Sequence, residues 1–380
     1  MNLKPAFSRF LGADPERLHF AAHSHHPWPD VSYEAHKRAW LDAADMMDDK
    51  WEKIIGAVVP ALQHRLASIL GLSDPTSITF APNTHEFVTR IFSCIEPPVR
   101  ILTTDAEFHS FARQSRRWEE AGLALVDRVP AEPFDTFAER FASEARAGVH
   151  DLIYLSQVFF DSGFVVRELD HIVASVPNNL TYVVIDGYHA FMARPTHLGS
   201  LQDRVFYLAG GYKYAMSGEG VCFLHAPPGY GERPVNTGWF AGFGDLAPGV
   251  GDRVSYALDG SRFAGATYDP SGLYRMEAVL TWLEEEGIGP REISNHVRGL
   301  HHHFLSSGVL PGELIPPPSS ERGNFLTFRT PRAEEIYTAL HERRVITDRR
   351  GDRLRIGFGI YHDNDDVDRL VGVLKEVLSV

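Results

Sequence analysis

From Trp51 to Leu72, apolar residues recur at helical spacing: Ile54, Ile55, Val58, Leu62, Leu66, Ile69 and Leu70. The run stops at Gly71, a residue type that ends helices readily. Short apolar runs then predict strands at Ile78–Ala81, Arg100–Thr103, Leu123–Val126, Leu152–Ser156, Tyr182–Ile185, Val205–Ala209 and Val221–His225. Amphipathic stretches at Glu86–Cys94, Phe108–Ala121 and Phe134–Ala147 predict helices between several of them. This alternation implies an α/β fold with a mostly parallel sheet covered by helices on both faces. In such sheets ligands sit outside the carboxyl ends of the strands.

The texture changes after His225. Residues 226–272 are rich in Gly, Pro and aromatics, and a long loop region in a compact domain is usually functional. Helices are then predicted at Leu273–Glu286, Ala333–Arg343 and Asp365–Leu378, with strands at Asn324–Arg329 and Arg353–Phe358. The expected organisation is an arm over 1–50, a large domain over 51–271 and a smaller α+β C-terminal domain over 272–380, with the active site in the cleft between the domains.

Composition narrows the function. The 380 residues are 44% hydrophobic and 23% charged, enough for a large core. A net charge of −13 argues against broad nucleic-acid binding, which needs a cationic face. Cys94 and Cys222 are the two cysteines, so neither a disulfide framework nor a CxxC clip is expected. With no long apolar run and no signal-peptide core, the expectation is a cytoplasmic protein without a membrane partner.

Two strand ends carry the chemistry. Tyr182–Val–Val–Ile–Asp186–Gly–Tyr–His189 places an acid at the end of an apolar strand, with a histidine close behind. After the next strand, Gly210–Gly–Tyr–Lys213–Tyr places a lysine in a Gly- and Tyr-rich loop. Read singly, Asp186 is a helix cap and Lys213 a surface lysine. Together they match the needs of pyridoxal 5'-phosphate: a lysine to form an imine, and an anion to keep the pyridine nitrogen protonated.

These residues resemble the fold-type I pyridoxal phosphate enzymes, in the class V aminotransferase group and its kynureninase-like branch. The resemblance runs from about Trp51 to the C-terminus. It implies that Lys213 is the Schiff-base lysine, that Asp186 and His189 belong to an Asp–x–x–His element facing the ring, and that Tyr212 touches the phosphate. The turn Asn83–Thr84–His85–Glu86 matches a phosphate-binding turn, implicating Thr84 and His85 at a helix N-terminus. Phe108 takes the ring-stacking position and Gln157 one near the ring hydroxyl. Arg355 takes the position that holds a substrate carboxylate, for which its planar fork suits it. Gly238–Trp239–Phe240 and Arg262–Phe–Ala–Gly265–Ala–Thr267 resemble loops that reach the phosphate of a neighbouring subunit, implicating Trp239 and Thr267 in a homodimer with shared sites.

The sequence departs from kynureninases at Gly238–Trp239–Phe240–Ala241–Gly242, which lacks their histidine, and at His23–Ser24–His25–His26. Both fall where substrate side chains are expected, which makes His25 and His26 candidate substrate contacts rather than metal ligands. The expected activity is transamination of an amino acid. A kynureninase-like cleavage of a carbon–carbon bond and a non-catalytic cofactor-binding role are the alternatives. Neither cysteine lies in a loop resembling the nucleophile segment of cysteine desulfurases.

Overall fold

The computed structural model describes residues 2–245, 253–317 and 320–379. Its centre is a seven-stranded sheet. In chain order the strands are β1 (Ile78–Ala81), β2 (Val99–Thr104), β3 (Ala124–Val129), β4 (Leu152–Ser156), β5 (Tyr182–Asp186), β6 (Phe206–Gly210) and β7 (Cys222–His225). The spatial order is β1-β7-β6-β5-β4-β2-β3, and β7 alone runs against the rest. Every residue of β1, β4, β6 and β7 is buried. That is why these strands read as continuous apolar runs rather than as alternation.

The helix expected from Trp51 exists but is not uniform. Lys50–Lys53 and α2 (Val59–Leu70) are α-helical, whereas Ile54–Val58 between them widens to π geometry. Pro60, early in α2, has no N–H to donate back to Gly56, so the ladder is already broken there. Gly71 closes α2 in the left-handed conformation, with φ 68°. The region expected to be an arm contains a helix of its own, α1 (Asp30–Met46). Its pattern is weak because few of its residues, Ser32 and Ala35 among them, are buried.

The helices of the large sheet that bear on the site are α3 (Thr84–Phe92) and α4 (His109–Glu120), followed by α5 (Phe137–Ala145). After residue 270 come α6 (Ser271–Glu285) and α7 (Pro290–Ser306). A four-stranded antiparallel sheet follows, built from β8 (Glu313–Ile315), β9 (Phe325–Arg329), β10 (Asp348–Arg350) and β11 (Arg353–Gly357) in the order β10-β11-β9-β8. α8 (Ala333–Glu342) and α9 (Asn364–Leu378) complete the small domain. Three main apolar cores result: Leu273, Leu280 and Ile293 join the first, on one face of the large sheet; Val297, Phe304 and most apolar residues of β9, β11, α8 and α9 form the second; and Phe87, Ile91, Phe111 and Trp118 belong to the third, on the other face of the large sheet.

The N-terminal segment joins both. Phe7 is buried in the first core and Phe20 in the second. Leu18–His19 pairs in parallel with Val345–Ile346. No helix among the described residues is long and apolar enough to cross a membrane.

Candidate active site

The carboxyl ends of β1, β2, β4, β5 and β6 face one cavity of 470 Å³. Thr84, His85, Phe108, Asp186, His189, Tyr212 and Lys213 all line it, brought together from positions up to 129 residues apart in the chain (84 to 213). Lys213 follows β6 and is 4% exposed, so its ammonium form is deprived of water. Burial brings its pKa down to about 7, against the opposing pull of Asp186. Its amine lies 2.6 Å from His189 Nε2 and 4.7 Å from the centre of the Tyr188 ring. With the amine as donor, the imidazole proton sits on Nδ1, which has no partner.

Asp186 ends β5, level with Ser156 at the end of β4. Its carboxylate accepts from the Tyr188 main-chain N–H at 2.9 Å and from the Tyr154 hydroxyl at 2.7 Å. Burial raises its pKa and these two donors resist the shift. At the opposite end of the cavity, Asn83 caps α3 by accepting from Glu86 N at 3.1 Å, which leaves Thr84 and His85 in the first turn of the helix. Phe108 stands at the start of α4, its ring 5.3 Å from the Lys213 amine.

Arg355 on β11 is buried beside this cavity, over the ring of Phe160, which lines it. It donates to the Asp348 carboxylate and to the Phe160 carbonyl. Burial lowers its pKa to about 10, against Asp348. His25 lies at the rim, stacked on Tyr212 at 5.1 Å and 3.4 Å from Glu219.

Four expected positions lie elsewhere. His26 is buried against Phe7 and Tyr361, its Nδ1 donating to Pro27 O at 2.7 Å, and only its main chain reaches the site region, by donating to Tyr212 O. The Gln157 amide turns away from the cavity to Thr196 and Tyr207, because side chains alternate across a strand and Ser156 takes the cavity side. Trp239 and Thr267 do not line the cavity, but they meet each other through a 3.0 Å bond from Trp239 Nε1 to Thr267 Oγ1.

A family model described as the kynureninase C-terminal domain matches residues 312–374. Isopenicillin N epimerase of Streptomyces clavuligerus is 28% identical over 362 residues, covering 83% of this chain and 84% of that protein. A cysteine desulfurase from Thermococcus onnurineus NA1 shares the fold with a TM-score of 0.81 at 14% identity, covering 96% of this chain and 95% of that one. A C-DES mutant with glycine covalently linked to its pyridoxal phosphate cofactor gives a TM-score of 0.78 at 17% identity, over 97% of this chain and 98% of that one. The chain has the fold of the fold-type I pyridoxal phosphate enzymes.

The residues of the cavity fit pyridoxal phosphate. A buried lysine amine, an acid on the cavity floor, a helix N-terminus and an aromatic ring line a single space. The lysine has no carboxylate partner among the described residues, a costly arrangement for a charged amine and a tolerable one for a neutral one. Cys222 also lines the cavity, but burial pushes the thiols of both Cys94 and Cys222 up to about 12, far from the thiolate form a nucleophile needs. Among the described residues, no group of three or more His, Cys, Asp or Glu is arranged to hold a metal ion.

Several neighbours escaped sequence reasoning. Glu107 is 3% exposed and accepts from Ser156 N at 3.0 Å and Ser156 Oγ at 2.6 Å, tying the loop before α4 to the end of β4. Burial raises its pKa to about 8. Its place beside Phe108 is the only signal the sequence holds. Tyr154 has none, since its contact with Asp186 depends on the register of β4 against β5. His23 is fully buried, stacked on Phe325 at 4.6 Å, and neither ring nitrogen has a hydrogen-bond partner.

Proposed function

We propose that the enzyme transaminates an amino acid, with Lys213 as the single acid–base group at the alpha carbon. The observation that carries this reading is the Lys213 amine, buried in the cavity 2.6 Å from His189 Nε2, where burial lowers its pKa and favours the neutral form of a base. When bound, pyridoxal phosphate supplies a carbonyl for the substrate amine and a ring that accepts the electron pair left at the alpha carbon. Asp186 holds the proton on the ring nitrogen. Thr84, His85 and Tyr212 hold the phosphate, and Phe108 packs on the ring. His189 orients the Lys213 amine. Arg355 takes the substrate carboxylate, aided at the rim by His25. Positioning of this kind lowers the barrier by holding the reacting bond in one orientation.

Epimerisation is a second reading, favoured by the 28% identity to an epimerase. It begins with the same proton removal and ends with a proton returned to the opposite face of the alpha carbon, which a two-base route assigns to a second group. Burial holds His189 far below its usual range and Cys222 far above neutrality, so neither supplies a second base matched to Lys213. A kynureninase-like cleavage is a third, favoured by the family match over residues 312–374. Product analysis of the holoenzyme with an amino-acid panel and a keto-acid acceptor separates them. Acceptor-dependent formation of a new keto acid supports transamination. Inversion without an acceptor, or release of alanine, would overturn it in favour of the corresponding alternative.

We also propose a homodimer in which Trp239 and Thr267 serve the partner's cofactor phosphate. In support, the two loops already pack together, with Phe240 N donating to Gly265 O at 3.1 Å, and Trp239 is 40% exposed.

A further inference from the structure

We infer that the amino-acid substrate carries a second, anionic group, and that a basic groove beside the cavity receives it. This rests on the transamination reading and names its substrate class. The groove has a volume of 680 Å³ and is lined by His85, His109, Ser110, Arg113, Arg116 and Arg117, with Glu120 as its one acid. His85 and Ser110 line the Lys213 cavity as well, so the two spaces adjoin.

The groove wall is the outer face of α4. Phe111, Ser115 and Trp118 bury the inner face, which leaves Arg113, Arg116 and Arg117 together on the other at i, i+3 and i+4. Like charges at that spacing repel, and the fold does little to offset them. Arg117 has Glu120 at 3.8 Å, whereas neither Arg113 nor Arg116 pairs with a carboxylate among the described residues. Arginines nearby are matched: Arg128 with Glu119, Arg353 with Asp161, Arg350 and Arg355 with Asp348. Unmatched cations thus stand together at the mouth of the cavity in a chain whose net charge is −13.

The groove also neighbours the proposed carboxylate site, with Phe160 between them. The Arg355 guanidinium stands 5.7 Å from the Phe160 ring, and that ring lies 4.9 Å from His109 at the groove. Arg350 and Arg355 both contribute to lowering the His109 pKa, after burial. A substrate held at Arg355 by its alpha-carboxylate and extending past Phe160 reaches His109 and then the arginines. A guanidinium fork matches a carboxylate or a phosphate equally.

The test is titration of the holoenzyme, read by cofactor absorbance, with pairs that differ in distal charge: L-glutamate and L-glutamine, L-2-aminoadipate and L-norleucine, O-phospho-L-serine and L-serine. The anionic member of at least one pair should bind about tenfold more tightly, and the pair that shows it separates carboxylate from phosphate. The preference should shrink as salt rises from about 0.05 M to about 0.5 M. It should also approach unity in an Arg113→Gln/Arg116→Gln double variant. Equal binding within every pair, no response to any of them, or a preference the double variant retains would overturn the groove assignment. A protein with no cofactor band after incubation with pyridoxal phosphate would instead overturn the underlying reading.

Discussion

At the scale of the residue, the site is governed by what burial does to ionisable groups. Lys213 loses its water and finds a histidine rather than an acid, so its pKa falls from 10.5 to about 7. Its capacity to attack an aldehyde should therefore rise through pH 7 rather than near 10, which the pH dependence of cofactor uptake by the apoprotein would reveal. Lys213→Ala should abolish covalent attachment while the far-ultraviolet circular dichroism stays unchanged, and borohydride reduction followed by peptide mapping would check it. Glu107 shifts the other way, from 4.5 to about 8. Between those values the folded state holds a proton that the unfolded state has released, so Glu107 costs stability progressively as pH rises from 4.5 to 8. Glu107→Gln should accordingly gain thermal stability relative to the parent between pH 5 and pH 8, measured on the apoproteins. A difference in melting temperature that stays flat with pH would refute the shift.

At the scale of the element, β1, β4, β6 and β7 were legible because both of their faces are buried and their sequence reads as short, mainly apolar runs. Two strand ends were legible as well, since Asp186 closes one such run and the Gly- and Tyr-rich loop carrying Lys213 follows another. What pattern alone missed was α1, with few buried residues, and α7, where polar and histidine positions dilute the apolar stripe. The contact between the N-terminal segment and the loop after Lys213 was equally hidden. Gly218 has φ 72°, and a Cβ there would lie 2.3 Å from Trp28. Arg275 backs the same point, its guanidinium 5.1 Å from the Trp28 ring and its Nε donating to Ser217 O at 2.8 Å. Gly218→Ala should therefore cost about 1–3 kcal/mol through overpacking and left-handed strain, measurable by denaturant unfolding. It should also speed proteolysis within the first thirty or so residues, since Trp28 must move.

At the scale of the molecule, the proposed dimer is testable through its exposed aromatics. Sedimentation should give twice the 42.5 kDa chain mass, and Trp239→Ala should weaken cofactor retention even though Trp239 lies outside its own chain's cavity. A monomer that retains the cofactor fully would refute shared sites. By itself the sequence determined the fold class, the strand ends that carry Lys213 and Asp186, and the cofactor, because these follow from local runs and from the residue types that interrupt them. Only the tertiary structure decided that His26 is core, that Gln157 faces away, that Tyr154 and Glu107 support the site, and that unmatched arginines border it. Those outcomes depend on strand register and on contacts between segments distant in the chain, and local periodicity contains no information about either.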